Sequence, residues 1–304
     1  PFTVKRTLLM GKTSFLIGVI SFMIPFFLLS NKSAPLFCAI IWQKSEDRRI
    51  AMKEIQGVKN PLIKELRKLQ QKKYREKEGR YLMDGFHLVE EALKAKAPVE
   101  LLLVTHKGLA EWEEWLDQQS VTQYLVSDEV MKSLSDLPTP PGIMGVLTKT
   151  EAGEVDFTGR WLLLDRVQDP GNVGTMVRTA DAAGFDGVIL GHGCADLYST
   201  KVLRSTQGSQ FHLPVVQRAL PEVIEAFRTQ KIPVYGTELN EAAKEFQEVA
   251  PTANVALVMG NEGQGVAPEI LALTDQNLYI PIYGQAESLN VGVAAGILMY
   301  HFRS

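Results

Sequence analysis

The stretch DPGNVGTMVRTADAAGF, residues 169–185, comes just after the apolar run WLLLD of residues 161–165. An apolar run, then glycines, then helix-forming residues predicts a strand that enters a tight loop and continues as a helix. In α/β proteins such a junction lies at the ligand-binding edge of a sheet. Further along, the strands GVILG, FHLPVVQ, IPVYGTEL, VALVMG and NLYIPI alternate with the helices TKVLRSTQGS, PEVIEAFRTQ and VGVAAGILMYHF. Continuous apolar strands alternating with helices predict a mostly parallel sheet covered on both faces.

Toward the N-terminus, residues 150–159 (TEAGEVDFTG) are polar and glycine-containing and make the domain boundary. Before it, residues 52–149 read as a small α/β unit. A helix opens at Asn60 with Pro61 in its first turn, and its apolar residues Leu62, Ile63, Leu66 and Leu69 fall at helical spacing. The proline-rich LPTPPG cannot be regular structure. Residues 1–51 stand apart. SFLIGVISFMIPFFLLS follows Lys5, Arg6 and Lys12 like a signal peptide, yet its apolar run is shorter than the roughly 20 residues that cross a bilayer and contains Pro25. The composition changes abruptly at Met52, so residues 1–51 read as an upstream extension outside the functional protein, with a signal or anchor as the alternative.

Composition adds limits. The 304 residues are 45% hydrophobic and 22% charged, enough for about two domains. Two cysteines, Cys38 and Cys194, without a CxxC or a His/Cys cluster, support neither a disulfide framework nor a metal site, and a reducing cytoplasmic setting is expected. The net charge of −3 hides an asymmetry: residues 53–80 hold ten Lys/Arg against four Asp/Glu, a local +6 that leaves −9 for the remainder.

Three segments follow strands in the second unit: DPGNVGTMVRTA, GNEGQGV and YGQAESLN. Loops leaving the carboxyl ends of parallel strands share one edge and can converge on a ligand. A nicotinamide-binding fold needs GxGxxG and an acidic residue roughly 20 positions on. Here Gly171 and Gly174 are spaced GxxG, and the next strand ends in ILGHG without a carboxylate. A phosphate-binding P-loop is excluded because neither glycine loop ends in GK[ST].

NVGTMVRTADAAGF, MGNEGQGV and IPIYGQAESLNVGVAAGILMYHF, in this order and each after a strand, resemble the three motifs of the SpoU (TrmH-like) family of tRNA/rRNA ribose 2′-O-methyltransferases, within the SPOUT superfamily. The resemblance covers residues 160–304, about half the chain. Residues 52–149 are similar to the substrate-binding domain often fused to these enzymes, itself like RNA-binding ribosomal proteins. The implied fold class is α/β, a knotted parallel-sheet methyltransferase domain over residues 150–304 preceded by a small RNA-binding domain.

The resemblance implies S-adenosylmethionine as cofactor, bound in a trefoil knot, with Gly260, Ile280 and Leu289 as contacts and Thr237 and Glu238 as further candidates. It implies Arg178 as the catalytic arginine. Methyl transfer to a 2′-hydroxyl needs in-line positioning and a proton acceptor. A guanidinium stays protonated, so whether Arg178 takes the proton or clamps the phosphate and polarises the hydroxyl stays open. Asn172 would orient Arg178 or the RNA, Glu262 would hold an arginine or the hydroxyl, and Ser288 and Asn290 would shape the acceptor site. Each also has a plainer reading: Asn172 as a turn residue, Ser288 or Asn290 as an N-cap of the last helix, Arg178 as a surface charge. Gly292 stands where the family commonly has serine, which places a glycine inside a helix at a cost of about 1 kcal/mol.

The family also implies a homodimer through the C-terminal domain, for which the small-residue final helix is suited. The basic helix from Lys59 to Arg80 suits phosphate contacts through Lys64, Arg67, Lys68, Lys72, Lys73 and Arg75, with Tyr74 placed to stack on a base. The fused N-terminal unit favours rRNA over tRNA as substrate. The rival readings are a non-catalytic RNA-binding protein on the same fold and a nicotinamide-dependent oxidoreductase.

Overall fold

The computed structural model describes residues 52–150, 153 and 155–303. The expectation for residues 1–51 lies outside the described residues. In chain order the first sheet's elements are β1 (Lys53–Ile55), α1 (Pro61–Lys68), α2 (Lys72–Glu78), β2 (Arg80–Asp84), α3 (Phe86–Lys94), β3 (Val99–Val104), α4 (His106–Asp117), β4 (Thr122–Val126), α5 (Asp128–Leu134) and β5 (Ile143–Thr148). The strand order is β1-β4-β3-β5-β2, with β3 and β4 parallel and β5 antiparallel to both β3 and β2.

The second sheet's elements are β6 (Arg160–Leu164), α6 (Pro170–Ala183), β7 (Gly187–Leu190), α7 (Thr200–Thr206), β8 (Val215–Gln217), α8 (Leu220–Thr229), β9 (Val234–Thr237), β10 (Lys244–Glu245), β11 (Val255–Met259), α9 (Pro268–Leu271), β12 (Gln276–Tyr279) and α10 (Val291–Arg303). All seven strands are parallel, in the order β10-β12-β9-β11-β6-β7-β8. The central pair β6 and β11 is buried almost throughout, which is why both read as unbroken apolar runs. Alternate residues serve opposite faces. Leu162, Leu164 and Leu257 pack under α6 and α10 with Met176, Val177, Leu298 and Phe302, whereas Trp161, Leu163 and Val258 pack with Ile224 and Phe227 of α8.

Two expectations about local structure are corrected. DPGNVG is no loop: α6 begins at Pro170, Asp169 is its N-cap, and the Asp169 carboxylate accepts the Asn172 N–H at 2.9 Å. Gly174 is there for contact, since a Cβ on it would lie 2.2 Å from Ser205 Cβ on α7. The basic segment is also two helices. Gln71 is extended (φ −100°, ψ 132°) between α1 and α2. The break leaves carbonyls without helical partners, and Arg75 reaches back to bind those of Leu69 and Gln70 through Nη1 at 2.7 and 2.8 Å. β1, β10 and α9 are further elements that the sequence pattern does not reveal.

Both sheets belong to one compact unit, Glu54–Ser304. Arg75 donates through Nε (3.0 Å) and Nη2 (2.5 Å) to Asp196 of the second sheet's half. Leu203 of α7 packs into an apolar cluster with Tyr81, Met83, Leu88, Ala92 and Leu147 of the first. Arg204 binds the Asp136 carboxylate through two nitrogens at 2.7 and 3.1 Å. His212 lies between Asp181 (2.8 Å) and Glu91 (3.2 Å). Among the described residues no helix is long and apolar enough to cross a membrane.

Candidate active site

The parallel strands deliver their carboxyl ends to one edge, and the three motifs follow β6, β11 and β12 along it. The segment after β11 is shaped by its own side chains. Asn261 Oδ1 accepts the N–H groups of Gly263 and Gln264 at 3.0 Å each, while its Nδ2 donates to the Arg166 carbonyl at 2.9 Å. Buried Asp165, at the end of β6, accepts the Ala267 N–H at 2.7 Å. Sequence reasoning passed over both residues, although an asparagine opening a glycine turn and an aspartate ending an apolar strand are readable signals.

This shaping presents Glu262 to the start of α6. Its carboxylate accepts the backbone N–H of Gln168 (3.2 Å) and Asp169 (2.9 Å) and the side-chain amide of Asn172 (3.0 Å). Asn172 Oδ1 in turn accepts from Asn290 Nδ2 at 3.0 Å. Asn290 Oδ1 accepts the Gly292 and Val293 N–H groups at 2.9 and 3.3 Å, capping α10. The three motifs are thus joined by one directional chain of hydrogen bonds.

Chemistry fixes its direction. An ionised carboxylate only accepts, so the NH2 of Asn172 faces Glu262 and its oxygen faces Asn290. The first N–H groups of α10 only donate, which turns the Asn290 oxygen toward them. Burial pushes the Glu262 carboxyl up, but the bonds from Asn172 and the Asp169 and Gln168 backbone outweigh it and hold it below the usual carboxylate range. Asn290 therefore fills its N-cap reading, and its amide nitrogen also bonds Asn172.

Beside this chain, at the ends of β9 and β12, lies a cleft of about 610 Å³. Thr237, Glu238, Ile280, Ser288 and Leu289 line it, together with Tyr279 and Leu298. Four of the five expected cofactor contacts meet there. Gly260 does not line the cleft: it is buried where its loop turns back, and a Cβ on it would lie 2.1 Å from the Val266 nitrogen. Arg178 is exposed on α6, makes no ion pair among the described residues and is not part of the cleft lining. Gly292 is buried at the start of α10, where a Cβ would stand 3.4 Å from Thr175 of α6.

Of the expected RNA contacts, Lys64, Lys68, Lys72 and Lys73 are exposed. Lys68 and Lys73 lie over the ring of half-buried Tyr74, at 5.9 and 4.8 Å from its centroid. Arg67 is half-buried, with Nη2 3.5 Å from the Val58 carbonyl. Arg75 is a correction. It is only 6% exposed, and four of its five N–H groups donate to Asp196 and two carbonyls, so it holds structure together and is not presented to RNA.

An all-parallel sheet with three converging loops and a ligand-sized cleft defines an α/β enzyme that works at the carboxyl edge of its sheet. Comparison with known proteins narrows the class. The family model described as SpoU rRNA Methylase family matches residues 159–300, and that described as MRM3-like substrate binding domain matches residues 60–145. The chain is 45% identical over 252 residues to the 23S rRNA (guanosine(2553)-2′-O)-methyltransferase RlmP of Bacillus subtilis, covering 83% of this chain and all of that one. It is 27% identical to human mitochondrial rRNA methyltransferase 3, over 75% of this chain and 68% of that one. The crystal structure of an AdoMet-bound rRNA methyltransferase from Sinorhizobium meliloti superposes with a TM-score of 0.74 at 28% identity, covering 83% of this chain and 97% of that one. The chain belongs to the SpoU family of RNA methylases, which displaces the nicotinamide reading.

Proposed function

We propose that this protein transfers a methyl group from S-adenosylmethionine to a ribose 2′-hydroxyl of ribosomal RNA. The observation that carries the reading is the Glu262–Asn172–Asn290 chain, which ties the three motifs together beside the cleft. The cleft fits such a cofactor. Its volume of about 610 Å³ lies in the range for small-molecule sites, and Glu238 and Glu287 among its apolar lining set negative charge near a sulfonium. Thr237, Glu238, Ile280 and Leu289 would hold the cofactor, which when bound supplies an electrophilic methyl group.

The chain's own residues do the positioning. Glu262 and Asn172 lock the start of α6 to the segment after β11, so the acceptor meets a preformed surface. Ser288, which lines the cleft, and Asn290 border the acceptor position. Arg178, a permanent cation, clamps the neighbouring phosphate and polarises the hydroxyl. Because Arg178 lies outside the cleft of its own chain, a homodimer that brings α6 of one subunit to the cleft of the other completes the site. The exposed apolar residues Val293 and Tyr300 of α10 (53% and 55% exposed) support that pairing. We assign residues 52–149 to RNA binding and 150–304 to the methyltransferase, threaded as the family's trefoil knot, in the cytoplasm.

The test uses labelled S-adenosylmethionine with 23S rRNA, total rRNA and tRNA as separate acceptors, followed by alkaline hydrolysis. Label in hydrolysis-resistant dinucleotides from rRNA, at a guanosine as in the Bacillus relative, is the expected result. Cofactor binding without transfer to any acceptor would favour the non-catalytic RNA-binding alternative.

A further inference from the structure

A second cleft, of about 170 Å³, opens on the same sheet edge at the ends of β7 and β8. Lys72 of α2, Lys149 just after β5 and Arg218 just after β8 all face it, so it lies in the seam between the two sheets. Lys149 is half-buried, its ammonium 4.5 Å from the centroid of the Tyr198 ring. Burial pushes the Lys149 ammonium below its ordinary range, against the pull of Asp196 and Glu76. Neither carboxylate is its partner: Asp196 is taken by Arg75, and Glu76 lies 3.7 Å from Lys72. Arg218 is exposed and donates to the Gln217 carbonyl at 3.0 Å. Among the described residues neither Lys149 nor Arg218 forms an ion pair. A partly desolvated ammonium without a counter-charge is unfavourable until an anion joins it.

We propose that this seam cleft binds a phosphodiester of the substrate RNA between Lys149 and Arg218, an inference that rests on the RNA reading above. Position argues for RNA over a free anion. The strand order places the cofactor cleft at β12 and β9, the hydrogen-bonded chain at β11 and β6, and the seam cleft at β7 and β8. Adjacent strands lie about 4.8 Å apart, so the two clefts are roughly 19 Å apart along one edge. Lys72 continues the edge onto α2 and its exposed neighbour Lys73. One RNA strand laid along this line meets the lysines of the first half, the seam and the acceptor site in turn.

The experiment measures binding of a labelled 23S rRNA fragment to the full chain across a salt series, with S-adenosylmethionine binding followed by calorimetry in parallel. For Lys149→Gln/Arg218→Gln, affinity should fall on the order of tenfold, and the slope of log K against log salt should become shallower by about 1 to 2. Cofactor affinity and the melting temperature should not change. Lys107→Gln/Lys231→Gln removes the same charge away from the seam and should change affinity less than about twofold, while Lys149→Arg should keep the wild-type slope. Equal weakening by both double variants, or no weakening by the seam variant, overturns the proposal. Lost affinity for inorganic phosphate with unchanged RNA affinity overturns the assignment to RNA. If the wild-type chain binds cofactor but no rRNA, the RNA reading itself falls.

Discussion

At the seam between the two sheets, Arg75 and Arg204 each grip a carboxylate through two nitrogens, and Arg75 also closes the broken end of α1. At the carboxyl edge of the second sheet, Arg178 projects from α6 without an ion pair among the described residues. The same side chain therefore serves two ends. Where it is paired with a carboxylate inside the protein it fixes structure, and where its donors are left to solvent it is available to a phosphate. Sequence context alone does not separate the two cases: Arg75 lies in the more basic segment, yet it is the buried one.

Exchanging the roles tests that distinction, and the largest effect is expected at Arg178. Arg178→Ala should lower methyl transfer by at least about 10³-fold, on the scale of losing a preorganised charge at a reacting centre. Its melting temperature should stay unchanged, since exposed substitutions fall within about 0.5 kcal/mol. Arg75→Ala should do the reverse. It leaves the Asp196 carboxylate without its cation and two carbonyls without a donor, and should destabilise the chain by about 3–5 kcal/mol in denaturant titrations. A normal unfolding midpoint for that variant would remove Arg75 from the structural class.

Asn172→Asp is expected to act in between. It sets a carboxylate against Glu262, and transfer should drop about 10²-fold with little loss of secondary structure; wild-type turnover would show that the hydrogen-bonded chain is ornamental. The smallest effect concerns pH. The bond to Asp181 raises the His212 pKa, burial opposes it, and Glu91 raises it further. Its stabilisation is thus fully present below the unfolded histidine value and is lost as pH rises through the higher folded one. His212→Gln should flatten the stability profile at pH values above the unfolded histidine value by less than about 1 kcal/mol, because the pair is partly exposed.

The central strands β6, β7 and β11 of the second sheet were legible because both of their faces are buried, so apolar runs mark them without ambiguity. The start of α6 was not. Its glycines resemble a loop, but Gly174 is required by the nearness of α7, a tertiary fact that propensity does not carry. The break between α1 and α2 depends likewise on Arg75 and Asp196, 121 residues apart. The motif residues were legible as individuals through the family resemblance. Their joining was not, because Asn172 meets Glu262 across 90 residues and Asn290 across 118. Strands or helices as brief as β10 and α9 leave too short a pattern to read.

The close approach of α6 and α7 at Gly174 has a mechanical reach beyond the pair. α7 carries Leu203 and Arg204 into the first half of the molecule, while α6 carries Asn172 to Glu262 and Asn290 and presents Arg178 to solvent. The gap between them is set by one missing methyl group. The contact thus acts as a shim: a methyl group added to α6, as in Gly174→Ala, has to push α7 away, and with it the side chains that α7 sends into the first half. The spacing between the two halves is thus fixed where α6 and α7 touch.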